Sequence, residues 1–396
     1  MSSPGDEGAT PRRRHGLCIG SIPLCNHGLM KRGIDIGFTL SRRELALGSF
    51  ALLPGSELLA RRWGAVMQAQ GERITLTSVE GLEVGHATRT DRPTGCTVVI
   101  APSGATAGVS VRGAAPGTRE TALLHPENTV EQVHAVVLSG GSAFGLAVAD
   151  GVMRALRDRG IGFPMGRYVI PIVPAAVLYD IGLGGDSYPD ADDGIAACET
   201  ASTNPPEEGS VGAGAGATVG KMLGGNRMKG GIGTAGFRFD DGTVVAAMVA
   251  VNCVGDVRDP RTGRLIAGAR TENGEAFLDA EAQILAGDDE LPFAAGENTT
   301  IGIVATNRTL SKVECSRLAG VAHDGLARAV VPAHTRMDGD TLFALSSGAG
   351  AVVDDAGDYT RIEVAAAAAV SESILRAIRQ ATGLPGIPSA SDLGTA

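Results

Sequence analysis

Aromatic residues make up only 4% of this 396-residue chain, and cysteine is limited to six. So few rings exclude a core filled by bulky aromatic packing and favour closely spaced strands and tight turns. The cysteines (Cys18, Cys25, Cys96, Cys198, Cys253 and Cys315) show no C-x-x-C spacing and no paired histidines nearby. Neither a zinc site nor a disulfide framework is indicated. Positive charge is in deficit: the net charge is -10, and the main body has no Lys/Arg-rich run. That argues against a nucleic-acid surface. A long apolar run is missing too. The stretch ending at Leu53 is broken by Pro54 and Glu57 and is too short for a stable membrane span.

What is present is a soluble globular composition, 43% hydrophobic and 20% charged, with 57 glycines that follow no collagen-like period. The length allows one large domain or two. The first seventy residues stand apart. Ser41-Arg42-Arg43, followed by Leu45-Ala46-Leu47, reads as a twin-arginine export signal, and Ala65 and Ala69 offer a cleavage site. The expectation is a leader over 1–69 and a periplasmic or exported protein. A chance arginine pair on an amphipathic helix, with no true leader, leaves the protein cytoplasmic; Met30 offers an alternative true start, which sets residues 1–29 aside. Removing 1–69 takes away nine Lys/Arg and five Asp/Glu, so the body is more acidic than the whole chain.

From Arg73 onward, short apolar runs alternate with glycine. ITLTSVEGLEVGHA and CTVVIAPSGATAGVSVRG read as strands with Gly turns, and HAVVLSGG as a buried strand. SAFGLAVADGVMRALRDRG follows as an amphipathic helix closed by Gly160. GIGTAGFRF and TVVAAMVAVNCVGDV predict a hairpin with Asp241-Gly242 at its turn. Residues 256–297 read as a long polar connection. Beyond it the order is strand, helix, strand, helix, which favours α/β layers with helices covering sheet faces.

The chemistry-bearing residues are ambiguous one at a time. His134 to Arg154 runs strand–Gly140-Gly141–helix, but fits neither G-x-G-x-x-G nor G-x-S-x-G, and a tight turn explains its glycines. Gly212 to Lys221 is a poor phosphate loop. Asp338 and Asp340 flank Gly339 before a strand, where they can hold a metal, orient a cation or cap a turn. His323 and His334 read as isolated structural residues. Lys221 sits in an apolar setting that can lower its pKa. Asn252 lies inside an apolar strand and needs hydrogen-bond partners, and Cys253 beside it reads as a small core residue. Asn298-Thr299-Thr300 precedes the strand Ile301-Gly302-Ile303-Val304-Ala305. It fits turn chemistry, an N-glycosylation pattern, or a point where the chain is cut to make a nucleophile.

Six segments in one order remove the generic look: SGGSAFGLAVADGV, AVLYD with Tyr179, GAGAGATVGK, VAVNCVGDV, ENTTIGIVATN and HTRMDGDTLFAL. Together they resemble the self-processing aminopeptidases of the DmpA type and, more closely at the nucleophile, the nylon-oligomer (6-aminohexanoate oligomer) hydrolases. The resemblance spans residues 74–390. It implies an αββα sandwich like that of N-terminal-nucleophile hydrolases, differently connected. It implies self-cleavage at Asn298-Thr299, giving an α subunit of 70–298 and a β subunit of 299–396. It assigns Thr299 as nucleophile, with Asp338, Asp340, Asn252, Lys221 and Tyr179 around it, and no cofactor or metal. The implied substrates are short peptides or amides, with β-, D- or ω-amino-acid units as candidates, and the implied assembly is an oligomer such as a tetramer of αβ pairs. Rival readings are a transacylase of the ornithine-acetyltransferase type and an uncleaved, non-catalytic binding protein.

Overall fold

A computed structural model describes residues 73–224, 226–287 and 298–396, all of them within one compact unit. The leader 1–69 and the acidic segment 288–297 lie outside the described residues. Nine strands form the main sheet. In chain order they are β1 (Glu83–Thr88), β2 (Gly95–Val111), β3 (Gly117–Arg119), β4 (Gln132–Ser139), β5 (Ala175–Val177), β6 (Gly231–Arg238), β7 (Val244–Asn252), β8 (Thr299–Thr306) and β9 (Thr341–Ser346). Their spatial order is β6-β7-β8-β9-β2-β4-β5-β3, with β1 added on β2. Among the described residues five α-helices accompany them: α1 (Val148–Asp158), α2 (Ala191–Thr200), α3 (Ala280–Ala286), α4 (Lys312–Ala329) and α5 (Ala356–Arg379).

The long β2 turns this one path into two layers. Its first half, Cys96 to Ile100, pairs with β4, and its second half, Thr106 to Val111, pairs with β9. A register shift between Ile100 and Ala105 separates them, so the expected Gly turn is an irregularity within one strand. Alternation of side chains then sorts the sheet core into three large clusters. Ala246, Met248 and Ala250 of β7, Ile301 and Ile303 of β8, and Phe343 of β9 meet Val99 of β2 and Val136 and Leu138 of β4 between the layers. The opposite face of β7 and β9 (Val245, Ala247, Leu342, Ala344) packs under α4 and α5. The opposite face of β2 and β4 (Val98, Ile100, Ala135, Val137) packs under α1 and α2. The result is the expected helix–sheet–sheet–helix sandwich.

The C-terminal third follows local chemistry. The parallel pair β8/β9 needs a crossover, and α4 supplies it. Ser311 caps α4: its hydroxyl accepts the Glu314 N–H at 3.3 Å, while the Glu314 carboxylate accepts the Ser311 N–H at 2.8 Å. Helix α5 starts at Ala356, earlier than its apolar run suggests, because Asp355 caps it through the Gly357 and Asp358 N–H groups. The connection read as purely polar is partly ordered as well. Asp256–Arg258 pairs with both Leu265–Ala267 and Val330–Val331. The buried Asp256 carboxylate anchors the stretch, accepting the Ala269 N–H at 2.8 Å and the Ala280 N–H at 2.7 Å.

Candidate active site

Thr299 is the first residue of β8, and the antiparallel register sets Asn252, the last residue of β7, opposite it. By strand alternation the Thr299 side chain shares the inter-sheet face of Ile301 and Ile303. Residues Asn298 and Thr299 are each only 3% exposed. The Thr299 hydroxyl donates to the Asn298 carbonyl at 2.5 Å, and the Gly339 N–H donates to the same oxygen at 2.9 Å. Two donors therefore polarise the carbonyl of one peptide bond, and one of them is the hydroxyl of the next residue.

Gly339 can reach that carbonyl because it has no side chain. A Cβ there would stand 2.8 Å from the Thr299 Oγ1 and 2.6 Å from the Ala115 oxygen. The turn is further fixed by Ala115 N–H on the Asp338 carbonyl and Arg112 N–H on the Asp340 carbonyl, both at 2.9 Å. The two carboxylates on either side of Gly339 are almost wholly buried. Asp340 Oδ1 accepts the Thr300 N–H at 2.8 Å. Asp338 Oδ2 accepts the Thr335 N–H at 2.9 Å and the Thr335 hydroxyl at 2.6 Å. Burial, and after it the charge of Asp340, push the Asp338 carboxyl up to about 6, against the pull of the Thr335 donors.

On the other side of β8, Asn252 is fully buried. Its Oδ1 accepts the Thr218 N–H at 3.0 Å and Lys221 Nζ at 2.9 Å, and its Nδ2 donates to the Tyr179 carbonyl at 2.9 Å. Lys221 Nζ also reaches the Asn252 carbonyl at 3.1 Å. Tyr179 thus joins the network through its backbone. Cys253 is core, as expected: burial pushes its thiol well above its ordinary value, and Lys221, Asp338 and Asp340 are all close enough to act on it. All six residues singled out in the sequence therefore converge on the start of β8.

Several neighbours were not legible. His323 and His334 are not isolated: their rings meet edge-on at 4.8 Å, and His334 Nδ1 lies 2.8 Å from Asp340 Oδ2. Sequence distance hid this pair, because His323 belongs to α4 and His334 to the loop before β9. The signal for His334 was its place, with Thr335, inside HTRMDGDT. Asp180, next to Tyr179, is buried against Arg92 at 3.1 Å and accepts the Thr94 hydroxyl at 2.7 Å and the Gly141 N–H at 2.8 Å. Lys229 is fully buried and donates to the Gly214, Ala217 and Gly230 carbonyls at 2.8–3.1 Å. Burial pushes its amine down to about 7. Among the described residues no cluster of His, Cys, Asp and Glu could hold a metal ion, and no helix is long and apolar enough to cross a membrane.

The chain is similar to several known proteins. An uncharacterized aminopeptidase of Mycobacterium tuberculosis is 41% identical over 344 residues, 81% of this chain and 97% of the relative. A 6-aminohexanoate-oligomer endohydrolase of Kocuria sp. is 34% identical over 289 residues, covering 71% of this chain and 77% of that protein. Among solved structures, the L-aminopeptidase D-Ala-esterase/amidase of Ochrobactrum anthropi, a variant of the Ntn hydrolase fold, superposes with a TM-score of 0.60 at 20% identity. It covers 81% of this chain and 92% of that one. The model of peptidase family S58 matches residues 75–390. With that match over most of its length, the chain belongs to peptidase family S58, and it is a hydrolase of peptide or amide bonds.

Proposed function

We propose that the chain cuts itself between Asn298 and Thr299 and then works as an amide hydrolase with Thr299 as its N-terminal nucleophile. The observation that carries this is the Thr299 hydroxyl resting on the Asn298 carbonyl, with the Gly339 N–H on the same oxygen. In the cut, Thr299 Oγ1 bonds to the Asn298 carbonyl carbon as its proton passes to Asp338. The carbon–nitrogen bond then breaks, the Thr299 nitrogen takes up a proton, and Asn298 is left as an ester on Thr299. Water hydrolyses that ester, leaving a carboxylate on Asn298 and a free α-amine on Thr299.

That amine then takes over as base. An α-amino group titrates near 7.7–8.0, so at neutral pH it can accept the hydroxyl proton as Thr299 attacks a substrate carbonyl. We assign to Asn252 a hydrogen bond to the developing oxyanion, a role supported by its position opposite Thr299 and amounting to about 3–4 kcal/mol for one such donor. Asp340 holds the start of β8, and Lys221 and Tyr179 orient Asn252. The substrates we propose are short peptides or amides with a free amino end, ω-amino-acid oligomers included, in view of the relatives named above. We further propose a periplasmic enzyme of paired subunits, 70–298 and 299–396, exported by its 1–69 leader and assembled as a tetramer of such pairs.

Intact mass and N-terminal sequencing of the purified protein test the central claim. Two chains, the second beginning at Thr299, are expected, and a single chain for Thr299→Ala. A wild-type protein that stays whole sinks the reading. Hydrolysis of p-nitroanilides of α-, β-, D- and ω-amino acids then separates the substrate classes.

A further inference from the structure

Asp340 is held almost entirely by one residue that the proposed chemistry does not use. His334 meets Asp340 Oδ2 twice: its backbone N–H donates at 3.1 Å, and its ring Nδ1 lies 2.8 Å away. The other carboxylate oxygen accepts the Thr300 N–H at 2.8 Å. The double grip from one residue requires an unusual backbone. His334 has φ of 58°, in the left-handed region that a non-glycine residue enters at a cost.

The ring is also held from its far side. His323, fully buried on α4, meets it edge-on at 4.8 Å. His323 Nε2 lies 2.9 Å from the Ser110 carbonyl of β2, so that nitrogen carries its proton. Burial drives the His323 ring down to about 4, so it is a neutral wall at neutral pH. The buried Nε2 of His334 has no hydrogen-bond partner among the described residues. The ring therefore has one polar task, the bond to Asp340.

We propose that His334 is a positioning residue for the chemistry at Thr299, acting through Asp340 to hold the Thr300 amide and so the bond between Asn298 and Thr299. The connection is short. Asp340 fixes the first amide after that bond, and Gly339, its chain neighbour, donates to the carbonyl on the other side of it. With the ring bond gone, Asp340 can rotate away and the Thr299 hydroxyl loses its alignment. Substrate contacts are untouched, so the loss falls on kcat and on the self-cleavage rate rather than on KM. The inference rests on the reading of Thr299 as self-processing nucleophile.

Two substitutions separate positioning from mere structure. His334→Gly tolerates the left-handed backbone and keeps the N–H but removes the ring donor. His334→Asn also accepts that backbone and carries an amide N–H near the place of Nδ1. Self-cleavage of the full chain is followed by intact mass, and kcat and KM are measured on a p-nitroanilide. His334→Gly is expected to slow self-cleavage and kcat at least tenfold with KM within twofold, and His334→Asn to restore rates to within about threefold of wild type. A His334→Gly protein that cuts and turns over at the wild-type rate overturns the proposal, as does a His334→Asn protein that is equally slow with an equal fall in Tm. Nitrogen-15 histidine NMR of the wild-type protein gives a check that needs no variant: a proton on His334 Nδ1 supports the inference, and a bare Nδ1 overturns it. If the wild type never cuts, the self-processing reading falls together with this one. If it cuts and His334→Gly cuts equally fast, only the role of His334 falls.

Discussion

The sharpest residue-scale consequence concerns Asp338. Its carboxyl is raised to about 6, chiefly by burial, and in the proposed cut it is the ionised form that receives the Thr299 proton. Self-cleavage should therefore run fully above pH 7 and slow about tenfold per unit below 6. Stability moves the other way. A carboxyl whose folded pKa lies above its unfolded value binds the proton more tightly when folded, so its contribution is present below about 4 and lost as pH rises to 6. Asp338→Asn should slow self-cleavage strongly at every pH and flatten the Tm-against-pH curve between 4 and 6. Parallel Tm profiles for the two proteins would argue against the shift. Asn252→Ala should lower kcat by about 10²–10³ with a smaller change in KM, the signature of a lost oxyanion donor. An equal loss confined to KM would reduce Asn252 to a substrate contact.

Elements meet this site through close backbone approaches and buried polar anchors. Lys229 shows the second device: the Gly214 and Ala217 carbonyls of one segment and the carbonyl of its neighbour Gly230 converge on its buried amine. Lys229→Met keeps the length of the side chain but leaves those acceptors unpaired. A loss of about 3–5 kcal/mol is expected, read as a lower midpoint in urea. Because the folded pKa of Lys229 lies below its unfolded value, the wild-type protein should gain stability from this group as pH rises from 7 toward 10. The helix pair α4/α5 shows the first device. A Cβ on Gly325 would lie 2.0 Å from the Ala367 carbonyl, so Gly325→Ala must push the two helices apart. It should cost about 1–3 kcal/mol; an unchanged Tm would mean that the two helices tolerate a wider crossing.

At the scale of the whole molecule, the proposed cut falls where it cannot release its products. β8 and β9 belong to the second chain, yet β8 pairs along its length with β7 and β9 pairs with β2, both from the first. The layer between the sheets mixes residues of both chains, Met248 and Val99 with Ile303 and Phe343. Separation would strip two ladders and a hydrophobic core at once. The cleaved protein should therefore elute as one species in native size exclusion and show two bands only under denaturing conditions. Two separately eluting native fragments would contradict that pairing.

Much of this was legible in the chain. Periodicity and turn residues located β7, β8, α1 and α4, because neighbours in sequence decide those patterns. The order of six short segments marked Thr299, Asp338, Asp340, Asn252, Lys221 and Tyr179, since each carries its chemistry in the residue itself. The His334–Asp340 clasp, the edge-on contact with His323, the Lys229 anchor and the division of β2 between two layers were not legible. Each joins groups that are near only after the chain has folded, and no local pattern records such a distance. The sequence by itself determined which chemical groups the chain carries and where most of its strands run. Only the tertiary structure decided that the Thr299 hydroxyl and the Gly339 N–H share the Asn298 oxygen, because two parallel strands joined through a helix must first lie side by side.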